Sequence, residues 1–169
     1  MLSDGQRNKT DQLLQGAYQY RHPLSDHYFF QSTSSYYRDV IKQLDHEVTQ
    51  TFGVGLRLQG DWWKFTLTPA AGAQWRDVGG DDTTHAVVGF YQEGGIDITD
   101  TLKFVEAYDF LMATNDSSDY KVRLSAGLNQ KLGGAWSLGL LYQYYYDAVV
   151  GKDASKEQTR TSLTIGLEF

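Results

Sequence analysis

Thr161, Leu163, Ile165, Leu167 and Phe169 alternate with Ser162, Thr164, Gly166 and Glu168 at the end of the sequence. Strict period two over such a run predicts a strand with one apolar and one polar face. The pattern recurs upstream, where Trp136, Leu138, Leu140, Tyr142 and Tyr144 oppose Ser137, Gly139, Leu141, Gln143 and Tyr145. Before that, Tyr120, Val122, Leu124, Ala126 and Leu128 oppose Lys121, Arg123, Ser125, Gly127 and Asn129. Similar segments fall at about 101–114, 83–98, 61–76, 46–60, 26–38 and 10–22, which makes nine predicted strands. Within 61–76, Trp63, Phe65, Leu67, Ala71, Ala73 and Trp75 share a face, with Lys64, Thr66, Thr68 and Gln74 on the other. Segment 26–38 is ambiguous, because Tyr28-Phe29-Phe30 and Tyr36-Tyr37 load both faces, and Glu106 interrupts an apolar face of Leu102, Phe104, Tyr108 and Phe110. No helix of useful length is predicted beyond one turn at 39–46.

The connections add topology. His22-Pro23-Leu24-Ser25-Asp26, Gly60-Asp61, Thr99-Asp100 and Gly133-Gly134-Ala135 read as short turns, some with Gly or Asp for hairpin backbone angles. Between them lie longer polar links at 39–46, Asp77 to Asp82, Thr114 to Asp119 and Asp147 to Gln158. Alternating short and long connections match a barrel with tight periplasmic turns and longer external loops. The expected class is therefore all-β: an antiparallel, up-and-down transmembrane β-barrel, one domain over 1–169 with a polar N-terminal segment at 1–9. A chain that starts and ends in the periplasm needs an even strand number. Nine strands then lead to the expectation that an odd number of upstream strands is absent and that Met1 is not the natural start.

Composition narrows the class. Aromatic residues make up 14% of the chain, with 17 Gly and only 2 Pro, too patterned for disorder and suited to pleated β-faces. No run approaches the 18 or so apolar residues of a membrane-spanning helix. A mean hydropathy of −0.46 looks soluble, but alternation of lumen-facing and lipid-facing residues cancels in such an average. The net charge of −6 and the lack of a basic cluster with interleaved aromatics argue against nucleic acid as a partner. With no Cys there is neither a disulfide nor thiol chemistry, which agrees with passage through an oxidising compartment. The stretch Met1 to Lys9 is polar and has no signal-peptide pattern.

Gly16-Ala17-Tyr18-Gln19-Tyr20-Arg21-His22-Pro23-Leu24-Ser25-Asp26 resembles a tyrosine-rich "YxYRLSDRW" hairpin. Gly53-Val54-Gly55-Leu56-Arg57-Leu58, Leu67-Thr68-Pro69-Ala70-Ala71-Gly72-Ala73 and the closing 161–169 strand accompany it in order. Together they resemble the YdiY-like family described as salt-induced outer-membrane proteins, whose function is unassigned. The sequence departs from it at Gly60-Asp61-Trp62-Trp63, where many members carry a longer charged turn. The resemblance implies a barrel in the bacterial outer membrane with further upstream strands, about twelve in all, and carries over no catalytic residue.

Candidate residues follow from these expectations. Thr161, Leu163, Ile165, Leu167 and Phe169 resemble the C-terminal signal read by the barrel-assembly machinery. Trp63, Trp75, Trp136, Tyr142 and Tyr144 are expected in an aromatic girdle, since amphipathic rings favour the membrane interface. Arg57, Lys64, Lys103, Asp109, Lys121, Arg123 and Arg160 are expected to face the lumen, lining a pore or forming a salt-bridged plug. His46 and His85, near Asp45, Glu47, Asp81, Ser117 and Ser118, invite a lipid or peptide hydrolase, but no nucleophile motif surrounds those serines. His22 and His27 flank the first turn. The acidic loops at Asp77 to Asp82 and Asn115 to Asp119 lack the spacing of a calcium loop. Lys42, Lys152 and Lys156 fall in the longer links, where lipid phosphates would meet them.

The expected protein is a passive or structural outer-membrane barrel, such as a small channel or envelope-stress component, with no cofactor, metal or enzymatic activity. Its expected partners are outer-membrane lipid, lipopolysaccharide and the assembly machinery. A lipid or peptide hydrolase and a soluble lipocalin-like binding barrel are the alternatives, and the latter needs Leu124, Leu138, Leu163 and Ile165 to point inward.

Overall fold

The computed structural model describes residues 13–39, 44–150 and 155–167. All regular structure in these segments is β: β1 (Leu13–Pro23), β2 (Tyr28–Asp39), β3 (Leu44–Gln59), β4 (Trp63–Val78), β5 (Asp81–Asp97), β6 (Leu102–Ala113), β7 (Tyr120–Gly133), β8 (Trp136–Asp147) and β9 (Glu157–Leu167). They form one sheet in sequence order, each strand antiparallel to the next. The polar segment 1–9, the centre of the link at 40–43, Lys152 and Phe169 lie outside the described residues.

Local chemistry sets each hairpin. At the turn end of the sheet, Ser25 Oγ accepts the Tyr28 N–H at 3.1 Å and Thr99 Oγ1 accepts the Leu102 N–H at 3.0 Å. Gly133 and Gly134 supply positive φ angles for the last of these turns. One link differs from its expected length. Asp77 to Asp82 is no extended loop, because β4 runs to Val78 and β5 begins at Asp81. Only Gly79 and Gly80 are left between them, at φ 63° and 90°, the positive pair of a tight hairpin that a side chain would strain. The alternation of short and long connections therefore breaks at this point.

The sheet is strongly curled, and its ion pairs show why it cannot be flat. Arg21 on β1 reaches Glu93 on β5, Glu47 on β3 reaches Lys121 on β7, and Arg76 on β4 reaches Asp147 on β8. Strands four places apart in a flat sheet stand about 19 Å from one another, beyond the combined reach of two side chains. Curling brings them together across the concave face, and the molecule is a half-barrel.

Polarity across the sheet is the reverse of a water-soluble core. Among the described residues only Phe29, Leu44, Val87 and Ala113 are buried apolar side chains, against eleven buried polar or charged ones. Most exposed large apolar residues of the strands instead stand on the convex face, with Leu163 69% and Ile165 65% exposed. Leu124, Leu128, Leu140, Phe52, Val54 and Val88 share that face. The inward turn of Phe29, in the segment whose pattern was ambiguous, has a specific cause. It lies opposite Gly55 on β3, where a Cβ would overlap the Phe29 ring. Glycine there opens the notch that takes the inward Phe29 ring.

Close strand packing makes a second glycine test the fold. A Cβ on Gly72 would overlap the Gln50 carbonyl oxygen and stand 2.7 Å from Thr51 Cα, both backbone atoms of β3. Gly72→Ala is expected to lower stability by about 1–3 kcal/mol, the usual cost of overpacking. A urea unfolding curve followed by circular dichroism measures it, and an unchanged midpoint would contradict the packing.

Among the described residues the sheet does not close on itself. Strands β1 and β9 each pair on one side only, although Gln15 of β1 and Gln158 and Arg160 of β9 line one small cavity together. With nine alternating strands these two edges run in the same direction, so direct closure would need a parallel pair.

Candidate functional site

Alternation places one residue in two on the concave face, and the loop end of the sheet gathers charge there. Glu47 follows the start of β3, Arg76 precedes the end of β4, Lys121 is second in β7 and Asp147 ends β8. Asp119 enters from the link before β7. Arg76 is the hub. Its Nε donates to Glu47 Oε2 at 2.9 Å and its Nη1 to Asp119 Oδ1 at 3.3 Å, while Nη2 stands 3.7 Å from Asp147 Oδ1. Lys121 Nζ donates to Glu47 Oε2 and pairs with Asp147 Oδ2 at 3.1 Å. The Arg76 and Glu47 side chains are each only 2% exposed. A guanidinium buried this far needs its carboxylates in place, because desolvation without partners is prohibitive. Beside the network, the Tyr37 hydroxyl donates to Asp39 Oδ2 at 3.0 Å.

Further along the concave face the chemistry stays polar. Gln74 Nε2 donates to Thr49 Oγ1 at 3.1 Å, and Thr51 and Tyr91 join hydroxyls at 2.9 Å. At the turn end, Arg21 Nε donates to Gln31 Oε1 at 2.9 Å and Arg21 Nη2 to Glu93 Oε1 at 2.6 Å. Lys103 pairs with Asp97 at 3.2 Å. The interior is thus cross-linked at both ends, most tightly at the loop end.

The residues singled out in the sequence fall on both faces. Register and alternation set Arg57, Lys64, Lys103, Asp109, Lys121, Arg123 and Arg160 on the concave side, but only Lys121 joins the buried network. Trp63, Trp75, Trp136, Tyr142 and Tyr144 stand on the convex side. Trp63 and Trp136 open their strands at the turn end, and Trp75 lies near the loop end of β4. Of the closing-strand residues, Thr161, Leu163 and Ile165 share the convex face, while Phe169 is outside the described residues. Glu106 is convex as well and accepts a 2.7 Å hydrogen bond from Gln92 Nε2.

The hydrolase candidates do not assemble. His46 lies on the convex side, 3.0 Å from the Tyr36 hydroxyl, while His85 lies on the concave side of β5. Among the described residues no serine hydroxyl is hydrogen-bonded to a histidine ring, the Ser25–His27 bond being to the backbone N–H. In the acidic links Asp77 and Asp116 bond locally, whereas Asp119 reaches Arg76. Asp77 Oδ1 accepts the Gly80 N–H at 2.9 Å, and Asp116 Oδ1 accepts both the hydroxyl and the N–H of Ser118. Those bonds, the hydroxyl first, hold the Asp116 carboxyl below its ordinary range.

Arg76, Asp119, Asp147, Arg21 and Glu93 were not singled out in the sequence. Arg76 continues the polar alternation of Thr66, Thr68 and Gln74, a signal that was present in the pattern. Neither the curated proteins nor the solved structures offer a match to this chain. A family model does, from residue 2 to residue 169, and the chain accordingly belongs to the family DUF481, proteins of unknown function.

Proposed function

We propose that the chain forms strands of an integral outer-membrane β-barrel of passive or structural type. The reversed polarity of the sheet carries this reading. A convex face of Leu124, Leu128, Leu140, Leu163 and Ile165 suits hydrocarbon, whereas the concave face buries carboxylates, lysine and arginine. Strands of 11 to 17 residues are long enough to cross a bilayer at the usual barrel tilt. Convex aromatics toward both strand ends fit two interfacial girdles, including the Trp63–Phe65 and Tyr120–Tyr146 ring pairs. A lipocalin-like binding barrel would require these leucines inside. In the membrane reading, further strands close the free edges of β1 and β9, an odd number restores antiparallel pairing throughout, and lipid, lipopolysaccharide and the assembly machinery are the partners. The Arg76 network then forms a salt-bridged constriction near the outer mouth.

Refolding into detergent micelles or lipid vesicles tests the reading. The folded chain is expected to resist extraction from vesicles by carbonate and to migrate differently on a gel before and after boiling. A chain that is monomeric and stable in buffer without detergent would sink the proposal.

A further inference from the structure

The turn end of the concave face holds a second group of charges, and its balance differs from that of the Arg76 network. A cavity of about 460 Å³ opens there, lined by Arg21, Arg57, Gln59, Lys64, Thr66 and Glu93 among others. These six carry three cations against one carboxylate. Glu93 is committed to Arg21, whose Nη2 it accepts at 2.6 Å. Among the described residues neither Arg57 nor Lys64 makes an ion pair.

Their placement is fixed by the sheet. Arg57, Thr66 and Glu93 form one row across β3, β4 and β5, and Gln59, Lys64 and Gly95 form the next row toward the turns. The buried Phe29 ring gathers the two guanidiniums, with Arg21 Cζ 5.1 Å and Arg57 Cζ 5.8 Å from its centroid. Cation–π attraction holds each one, yet two like charges on a single ring repel. Gly95 lets lysines crowd closer. A Cβ there would stand 3.3 Å from Lys103 Cε and 3.9 Å from Lys64 Cε. Phe29 is itself seated by the Gly55 notch, which sets its ring between the two guanidiniums.

We propose that this cavity is a binding site for a small oxyanion of the phosphate class. Arg57 and Lys64 supply the charge that no carboxylate among the described residues takes up, Arg21 extends the cationic wall, and Gln59 and Thr66 offer neutral donors. Planar guanidiniums suit the edges of a tetrahedral oxyanion, and an ammonium adds a point charge. The inference does not rest on the membrane reading, since the cavity lies on the concave side whatever solvent meets the convex one.

Calorimetric titration of the full refolded chain with inorganic phosphate, in zwitterionic micelles, tests the site. Wild type is expected to bind saturably, and the double variant Arg57→Gln, Lys64→Gln to bind at least about tenfold more weakly while keeping its circular dichroism. Arg160→Gln removes a concave cation outside this cavity and is expected to leave affinity unchanged. No saturable binding by wild type would overturn the proposal, as would an equal loss in Arg160→Gln, which would mark a diffuse field. A second arm adds phosphatidylglycerol to the micelles. Competition with phosphate would assign the site to a lipid headgroup, and undiminished binding to free phosphate.

Discussion

Replacing Arg76 with methionine is expected to cost about 3–5 kcal/mol of stability, the penalty for stranding buried charges. The sign follows from the composition of the network. Glu47, Asp119 and Asp147 carry three negative charges, and Arg76 with Lys121 carries two positive ones. Losing Arg76 leaves three carboxylates around one ammonium, in a place where Glu47 is 2% exposed. Glu47→Gln acts in the opposite direction on net charge, bringing the remaining four groups into balance while keeping size and a hydrogen-bonding amide. Its cost is expected to be smaller, about 1–2 kcal/mol, mainly for weakened charge-assisted bonds. Urea unfolding of the refolded variants, followed by circular dichroism, ranks the two. Equal losses would mean that Arg76 is not the hub the geometry makes it.

The second large effect concerns the convex face. Leu128, Leu140 and Leu163 are register partners across β7, β8 and β9, a row of leucines facing away from the sheet. Leu140→Arg is expected to destabilise the chain in lipid vesicles by about 2–4 kcal/mol if that row sits near the bilayer midplane. The same substitution on a surface facing water would change stability by no more than about 0.5 kcal/mol. Comparing the variant with wild type in vesicles separates the cases by a wide margin. A near-zero difference would remove the principal support for a lipid-facing surface.

The strands were legible because burial on one face forces a period of two, and the runs at 120–129 and 136–145 carry it almost without interruption. Glu106 belonged to the apolar face after all, and Gln92 on the neighbouring strand explains how that face tolerates it. Segment 26–38 was opaque for a physical reason. Its inward Phe29 depends on Gly55, a residue 26 positions away that becomes its neighbour only through β2–β3 register. The Asp77 to Asp82 link misled because acidic residues suggest solvated loops, whereas the Gly79-Gly80 pair alone decides the turn. The ion network was the least legible part. Inward-facing charges can be counted from alternation, but Arg76 finds Asp147 only because the sheet curls through four strands. That curvature is a property of the whole sheet, and no window of sequence contains it.

The common direction of the two free edges also restricts how copies of the chain could assemble. Two half-barrels related by a twofold axis along the barrel would bring β1 of one against β9 of the other, and both seams would be parallel. An antiparallel seam would require the second copy to stand upside down, an arrangement that a membrane with two distinct sides forbids. Symmetric self-assembly is thus a poor way to complete this sheet in a bilayer, and an asymmetric insertion of an odd number of strands is the solution its geometry favours.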